Sequence, residues 1–301
     1  GLLVTASVTP AIAVTGYAAS SAIDMFNDMP SYLEIPDLML PTEIYRKNEE
    51  DKNVLMARFY DQNRIPVEYD DVAPVMYDAI LSSEDKKFYS HGGVDLVGTV
   101  SALIGNATSG TNRGGSTITQ QYVKNVLQQD CEIKAKGDAD AVEECYASTT
   151  VNKGTEGYKR KLEEMRLAIS VEKKYSKEEI LLGYLNIASF GGTTYGIGAA
   201  ARGYFDVATK DLSIAQAATL AGMVQEPNKF RIDRPDSESN GAANGYALTK
   251  ERRDYVLGRM KADGKITAAE YDEALATPIE PKLTSRSKSC DQAKGAEFFC
   301  D

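Results

Sequence analysis

The sequence of 301 residues is long enough for one large domain with appendages, or for two small domains. Hydrophobic residues make up 43% and charged residues 26% of it, a composition typical of a globular chain and not of a disordered one. The formal net charge of -10 argues against a general nucleic-acid-binding protein, because contact with a phosphate backbone requires a basic surface. We therefore expect no nucleic-acid partner.

Residues 1–23 carry no charge, and about 20 mostly apolar residues suffice to cross a bilayer. We interpret this segment as the C-terminal part of a transmembrane anchor. A remnant of a signal peptide is the alternative, because residues 16–19 resemble a small-residue cleavage site. Both interpretations place the rest of the chain outside the cytoplasm.

The four cysteines favour the same compartment. Cys131 and Cys145 flank one polar, acidic segment, while Cys290 and Cys300 flank another near the C-terminal end. Four cysteines allow three pairings, of which 131 with 145 and 290 with 300 is the simplest. Free buried thiols are the alternative.

The pattern of apolar residues predicts a mainly helical body. Residues 24–75 are interpreted as a connecting linker in which EIYRK and VLMARFY form a small hairpin. From residue 72 onward, apolar residues recur every three or four positions in VAPVMYDAIL, ITQQYVKNVL, LEEMRLAISVEKKYSKEEILLGYLN and SIAQAATLAGMV. Residues 128–157 interrupt this pattern, and residues 232–247 form a Ser/Asn/Gly-rich loop. The last helical runs are ALTKERRDYVLGRM and KITAAEYDEAL.

The segment SSEDKKFYSHGGVD, residues 82–95, contains the only histidine of the chain. Glu84 and Asp85 end an apolar helical run, and partial burial of one of them would raise its pKa toward a value suited to proton transfer. A solvated charge cluster is the alternative. We expect His91 to hold the loop as a neutral imidazole between Asp95 and backbone groups.

The segment NRGGSTITQQYVKNVL places Gly114 and Gly115 before Ser116 and Thr117, which are good helix N-caps. A glycine loop that leads into a helix N-terminus favours anions. Three polar side chains share one face of this predicted helix: Gln120, Gln121 and Lys124. An ordinary capped helix is the alternative.

In YKRKLEEMRLAISVE, one helical stripe is predicted to face the core: Leu162, Met165 and Ile169. Three charged residues lie off that line: Arg160, Lys161 and Glu164. A carboxylate beside two cations suits a pyrophosphate group, bound directly or through a divalent metal, although the three could also be plain surface. In ERRDYVLGRM, we expect three side chains in the core: Tyr255, Leu257 and Met260.

These segments follow the order of the motifs of the family 51 glycosyltransferases, the peptidoglycan glycosyltransferase domains of class A penicillin-binding proteins. SSEDKKFYSHGGVD resembles the family's Glu-Asp-x-x-Phe-x-x-His-x-Gly-x-Asp motif, GGSTITQQYVKN its Gly-Gly-Ser-Thr-Ile-Thr-Gln-Gln-x-x-Lys motif, and RKLEEMRLAISVE its Arg-Lys-x-x-Glu motif. YSKEEILLGYLN and RRDYVLGRM resemble the remaining two. The resemblance covers roughly residues 40–275.

The resemblance implies a mainly α, lysozyme-like bilobal domain with head and jaw lobes over residues 76–275. It also implies a membrane enzyme that polymerises lipid II into β-1,4-linked glycan, with inversion at the anomeric carbon and release of undecaprenyl pyrophosphate. Glu84 matches the family's general base and Glu164 its second essential acid. The resemblance assigns substrate contacts to ten further residues: Asp85, Phe88, His91, Ser116, Thr117, Gln120, Gln121, Lys124, Arg160 and Lys161. It adds a divalent ion, Mg²⁺ or Mn²⁺, and as partners moenomycin-type inhibitors and cell-wall synthesis machinery.

Two departures from the family pattern stand out. The segment between the second and third motifs is longer than expected and acidic, and a substrate-contacting arginine common in that region has no assignable counterpart. Glu163 adjoins Glu164, and the Arg-Lys-x-x-Glu spacing selects Glu164.

The sequence contains no Lys-Thr-Gly, a signature of the transpeptidase of class A proteins. The end of the chain, AKGAEFFCD, resembles the linker before that domain in actinobacterial relatives. We therefore interpret residues 276–301 as a linker and the chain as part of a bifunctional enzyme, with a monofunctional glycosyltransferase as the alternative. Two rival functions are a lysozyme-like muramidase, which would release reducing ends from cell wall, and a non-catalytic membrane-anchored scaffold, which would be indifferent to loss of Glu84.

Overall fold

A computed structural model of the chain describes residues 29–95, 115–151 and 153–284. The predicted anchor, residues 1–23, lies outside the described residues, as does most of the predicted C-terminal linker. Among the described residues, we find no helical run with the length and apolar character needed to span a bilayer.

The described residues form ten α-helices, so the predicted mainly α class is confirmed. In chain order they are α1 (Pro74–Glu84), α2 (Ile118–Ala135), α3 (Ala139–Thr150), α4 (Gly154–Lys174), α5 (Lys177–Ile187), α6 (Ile197–Phe205), α7 (Ile214–Met223), α8 (Pro227–Phe230), α9 (Ala247–Ala262) and α10 (Ala268–Ala276). Short 3₁₀ turns lie between several of them, and one, Phe88–Ser90, follows α1.

The predicted hairpin is also confirmed. Strand β1 (Thr42–Lys47) pairs antiparallel with β2 (Asn53–Phe59). A second, two-residue sheet joins β3 (Asn63–Arg64) in parallel to β4 (Thr194–Tyr195). This short sheet ties the segment after the hairpin to the helical body.

Reciprocal caps explain where several helices begin. Thr117 accepts from the backbone N–H of Gln120, whose side chain in turn accepts from the backbone N–H of Thr117. Ser176 and Glu179 form the same capping box at the start of α5. Because each box satisfies two N–H groups that the helix leaves without partners, it fixes a helix start. The long helical run predicted over residues 162–186 is therefore two helices, with the break before Ser176.

The prediction that residues 128–157 interrupt the helical pattern is wrong. Helix α2 continues to Ala135, and α3 follows after a tight turn in which Gly137 has a φ of 83°. A disulfide joins Cys131 on α2 to Cys145 on α3, which confirms that predicted pairing. Cys290 and Cys300 lie outside the described residues.

Two groups of helices share one continuous hydrophobic cluster. In the first, α7 packs against α1, α9 and α10; in the second, α2 packs against α3, α4 and α5. Helix α7 is buried nearly all round, and its small residues let its neighbours approach closely. The C-terminal end of α1 and the N-terminal half of α2 lie where the two groups meet.

The core line predicted on α4 is wrong. Its three members are only half-buried: Leu162, Met165 and Ile169. The buried line consists of Glu164, Leu167, Ala168 and Val171. Because α4 packs against α2 and α5, the face that carries Glu164 is the one turned inward. This places the carboxylate of Glu164 in the interior.

Candidate active site

Glu84 is the last residue of α1, and its side chain is 14% exposed. Its Oε1 accepts a hydrogen bond from Arg252 Nη2 at 3.0 Å, and its Oε2 accepts one from Gln121 Nε2 at 3.2 Å. Tyr184 donates to the other end of the Gln121 amide at 3.2 Å. Burial raises the pKa of Glu84, while the charge of Arg252 and the two hydrogen bonds oppose that rise.

Arg252 is the site residue that the sequence analysis missed. Its helix, α9, crosses α7 at Gly222, where a Cβ atom would lie 3.0 Å from Arg252 Cγ. The guanidinium stacks over Tyr255, which is 48% exposed, so the predicted core position of Tyr255 is wrong. Leu257 and Met260 are fully buried, as predicted. The only sequence signal for Arg252 was its place in the fifth motif.

Asp85, which follows Glu84, pairs with the histidine. His91 Nε2 lies 3.0 Å from Asp85 Oδ1 and 2.9 Å from Oδ2, and the backbone N–H of Ile118 donates to Oδ2 at 3.0 Å. The prediction that His91 contacts Asp95 is therefore wrong. Asp95 Oδ2 lies 3.5 Å from Lys87 Nζ. Through Asp85, the end of α1 is fixed to the start of α2.

Two further predicted residues, Phe88 and Thr117, lie near the contact between the end of α1 and the start of α2. Phe88 is 1% exposed in the core, with Lys177 Nζ 4.4 Å from its ring centroid. Thr117 caps α2, and its hydroxyl donates to the carbonyl of Gly93 at 2.6 Å. Neither cavity described below is lined by Asp85, Phe88, His91 or Thr117. Their predicted contacts with substrate stay untested.

A cavity of about 240 Å³, here called the cation pocket, brings together most of the predicted polar residues. It is lined by Ser116, Gln120, Gln121, Lys124, Thr149, Thr150, Arg160, Lys161 and Glu164. Glu164 is 2% exposed and accepts from Arg160 Nη1 and, at 3.0 Å, from Lys161 Nζ. Lys161 also donates to Ser116 Oγ at 2.6 Å.

The cation pocket favours an anion. Three cationic side chains line it, those of Lys124, Arg160 and Lys161. The only carboxylate among the described residues of its lining is that of Glu164, so positive charge is in excess. Burial lowers the pKa of Lys124, and the charge of Glu164 opposes that fall. The Gln120 Nε2 group is buried and has no hydrogen-bond partner within the described residues. A phosphate oxygen would satisfy that donor and the cations together.

A second, larger cavity of about 590 Å³ adjoins the first and shares Gln121, Lys124 and Thr150 with it. We call it the amide cavity, because seven amide side chains line it: Gln62, Gln121, Asn125, Gln128, Gln129, Gln225 and Asn228. Three tyrosines also line it: Tyr146, Tyr184 and Tyr195. Glu84 lines neither cavity, but it accepts a hydrogen bond from Gln121, which lines both.

Comparison with known families identifies the family to which the chain belongs. The family model described as Transglycosylase matches residues 51–261. The chain belongs to this family. The match begins inside the segment predicted as a linker and includes both cavities. The sequence resemblance to the family 51 glycosyltransferases, and with it the predicted enzyme class of peptidoglycan glycosyltransferase, is confirmed.

Curated relatives of this transglycosylase are much longer than the chain. Penicillin-binding protein 1A of Vibrio cholerae is 32% identical over 257 residues, which are 85% of this chain and 27% of that protein. Penicillin-binding protein 1A/1B of Bacillus subtilis is 33% identical over 292 residues, 95% of this chain and 28% of that protein. The chain thus spans less than a third of either relative. The actinobacterial relationship stays a prediction.

A crystal structure of penicillin-binding protein 1A from Haemophilus influenzae is 21% identical to the transglycosylase chain. The match covers 84% of this chain and 22% of that chain, with a TM-score of 0.42. The family assignment does not rest on this likeness.

The described residues do not form a suitable binding site for a resident divalent metal. No group of three His, Cys, Asp or Glu side chains among them could hold one. Both oxygens of Glu164 already accept from cations, and the surrounding charge is positive. The expectation of Mg²⁺ or Mn²⁺ stays untested, and no step below passes through a metal.

Proposed function

We propose that this domain polymerises lipid II into β-1,4-linked glycan strands. The observation that carries the proposal is a buried carboxylate, Glu84, hydrogen-bonded to Gln121, a side chain that lines both a cavity rich in cations and a cavity rich in amides. The first cavity suits a pyrophosphate leaving group, and the second suits uncharged sugars. Lipid-linked saccharides combine both chemical groups.

In the proposed reaction, Glu84 takes the proton from the 4-hydroxyl of the acceptor disaccharide. The hydroxyl oxygen forms a bond to the anomeric carbon of the lipid-linked glycan from the face opposite the pyrophosphate, so the configuration inverts. The bond from that carbon to the pyrophosphate oxygen breaks, and its electron pair leaves on undecaprenyl pyrophosphate. The raised pKa of Glu84 matches a base that must hold a proton once it has taken one.

The cation pocket acts on the leaving group. Lys124, Arg160 and Lys161 stabilise the negative charge that grows on the pyrophosphate. Glu164 is a positioning residue in this scheme, because it pairs with Arg160 and Lys161 and holds both at the pocket wall. Ser116 and Gln120 add hydrogen-bond donors to the same wall.

We also place the catalytic domain at the extracytoplasmic face of the bacterial membrane, held by a single span. The uncharged segment 1–23 and the disulfide between Cys131 and Cys145 support this location. The partners we propose are lipid II, the nascent glycan, moenomycin-type inhibitors and cell-wall synthesis machinery.

The decisive experiment is polymerisation of labelled lipid II in detergent, resolved on a gel, for the wild type and for Glu84→Gln. We expect a ladder of glycan chains from the wild type only. Ladders from both proteins would remove Glu84 as the base. Absence of a ladder from the folded wild type would overturn the proposed polymerase.

A further inference from the structure

Helix α3 forms one wall of the amide cavity. Five of its residues line that cavity: Ala139, Val142, Glu143, Tyr146 and Thr150. Their spacing of three and four residues places them on one side of the helix. Cys145 is buried and joins α3 to α2 through the disulfide with Cys131. The wall is thus covalently attached to the helix that carries Gln121 and Lys124.

The same helix also reaches the cation pocket. Thr149 and Thr150, in its last turn, line that pocket. The carbonyl of Val151, which ends the helix, accepts a hydrogen bond from Arg160 Nε at 2.6 Å. Helix α3 therefore spans both cavities, and its position also fixes that of one pocket cation.

The amide cavity has the chemistry of a site for uncharged sugars. Its lining carries two carboxylates, Glu132 and Glu143, and two cations, Arg64 and Lys124, so neither charge is in excess. Glu132 accepts from Gln62 at 2.7 Å and from Gln128 at 2.9 Å. The guanidinium of Arg64 donates to protein oxygens of Gln62, Met39 and Asn186. Amides and carboxylates can bond sugar hydroxyls, and tyrosine rings can pack on the C–H face of a sugar.

We propose that α3 is a saccharide-binding wall and that Tyr146 packs against a sugar ring of the β-1,4-linked GlcNAc–MurNAc glycan. Tyr146 is 59% exposed and stands beside the cavity, so its ring is open to a ligand. The inference rests on the proposed function, since it names the part of the site that holds the glycan. Tyr146 binds and orients the sugar, and it takes no part in proton transfer.

The test compares Tyr146→Ala with Tyr146→Phe, which keeps the ring. Tyr158→Ala is the matched control, because Tyr158 is an exposed tyrosine that lines neither cavity. Two measurements are made on the full chain: steady-state kinetics with lipid II, which give kcat and KM, and calorimetry with a soluble, uncharged β-1,4-linked GlcNAc tetrasaccharide, which gives Kd. Thermal unfolding verifies that each variant is folded.

We expect Tyr146→Ala to raise both KM and Kd by about tenfold, the loss typical of an aromatic anchor, with kcat little changed. The Tyr146→Phe and Tyr158→Ala variants should match the wild type. Equal Kd and KM for Tyr146→Ala and the wild type would overturn the inference while leaving the polymerase intact. If the wild type makes no glycan, the proposed function fails, but the Kd for the tetrasaccharide still tests the role of Tyr146. Weaker binding in Tyr146→Ala alone would support the saccharide-binding wall. Equal binding, or no binding, in all proteins would refute it.

Discussion

Arg252 Nη2 donates a hydrogen bond to Glu84 Oε1 at 3.0 Å, although 168 residues separate the two along the chain. Both side chains are largely buried, so the ion pair is little screened by water. Burial raises the pKa of the Glu84 carboxyl, and the nearby positive charge of Arg252 opposes this rise. The contact between α1 and α9 therefore sets the basicity of the proposed catalytic base.

The pH dependence of turnover should report this pair. A general base works only when deprotonated, so kcat/KM should fall as the pH falls through the raised pKa of Glu84. Arg252→Met removes the charge that lowers this pKa, so the pKa rises further and the acidic limb of the profile moves to higher pH. The measurement is a pH profile of kcat/KM with lipid II.

Arg259→Met serves as the control for this profile, because Arg259 is on the same helix, pairs with Asp263 at 3.7 Å and is not among the charges that shift the pKa of Glu84. Its acidic limb should coincide with that of the wild type. A limb that stays in place, or moves to lower pH, in Arg252→Met would contradict the role given to the ion pair.

Substitution of Glu84 by Gln should lower kcat by about a hundredfold or more, the contribution typical of a general base. The amide keeps the shape of the side chain and can still hydrogen-bond to Gln121, so the variant should remain folded. Glu251→Gln removes an exposed carboxylate next to Arg252 in sequence and should leave kcat unchanged. If Glu84→Gln retained even a tenth of the wild-type rate, the base would have to be another residue.

Local signals explain how much of the fold was predictable from the sequence. Apolar spacing located most helices, and two strand-like segments on either side of a charged stretch indicated the hairpin. Helix α3 gave no such signal, because Cys145 is its only buried residue and its position depends on a disulfide with Cys131. On α4, apolar residues lie on both the inward and the half-buried side, so their spacing did not single out the inward face, where Leu167 and Val171 accompany the buried Glu164.

The candidate site was predictable where its residues lie in compact motifs. Glu84, Lys124 and Glu164 each stand in a motif that the family resemblance pointed out, and two of the three line the cation pocket. The partners of Glu84 and His91 were not predictable in this way. Arg252 meets Glu84 only through the packing of α9 across α7, and no local pattern reports such a long-range contact.

Removal of one cation should weaken the binding of pyrophosphate in the cation pocket. Lys161 donates to Glu164 and to Ser116 at the pocket wall, so Lys161→Met leaves fewer donors and less positive charge for an anion. We expect the inhibition constant of inorganic pyrophosphate to rise by about tenfold. Lys159→Met, at an exposed position on the same helix, is the control and should behave as the wild type. Identical inhibition constants for the two variants would exclude Lys161 from anion binding.

The disulfide should matter more for substrate binding than for chemistry. It closes a loop with a sequence separation of 14 between α2 and α3. In the chain-entropy model, a cross-link over a loop of this size contributes about 3 kcal/mol of stability. Because Cys145 is the only buried residue of α3, the Cys131→Ser/Cys145→Ser variant should loosen that helix first.

We expect this double variant to show faster amide hydrogen exchange in α3 and a higher KM for lipid II, with a smaller change in kcat. The reason is geometric, since α3 lines both cavities and its terminal carbonyl, that of Val151, holds Arg160. Reduction of the wild type with dithiothreitol should reproduce the effect. The double variant keeps Cys290 and Cys300, and the same treatment should leave its KM and its amide exchange in α3 unchanged. An unaltered KM after complete reduction would show that α3 keeps its place without the cross-link, because noncovalent packing against α2 would then suffice to hold the wall.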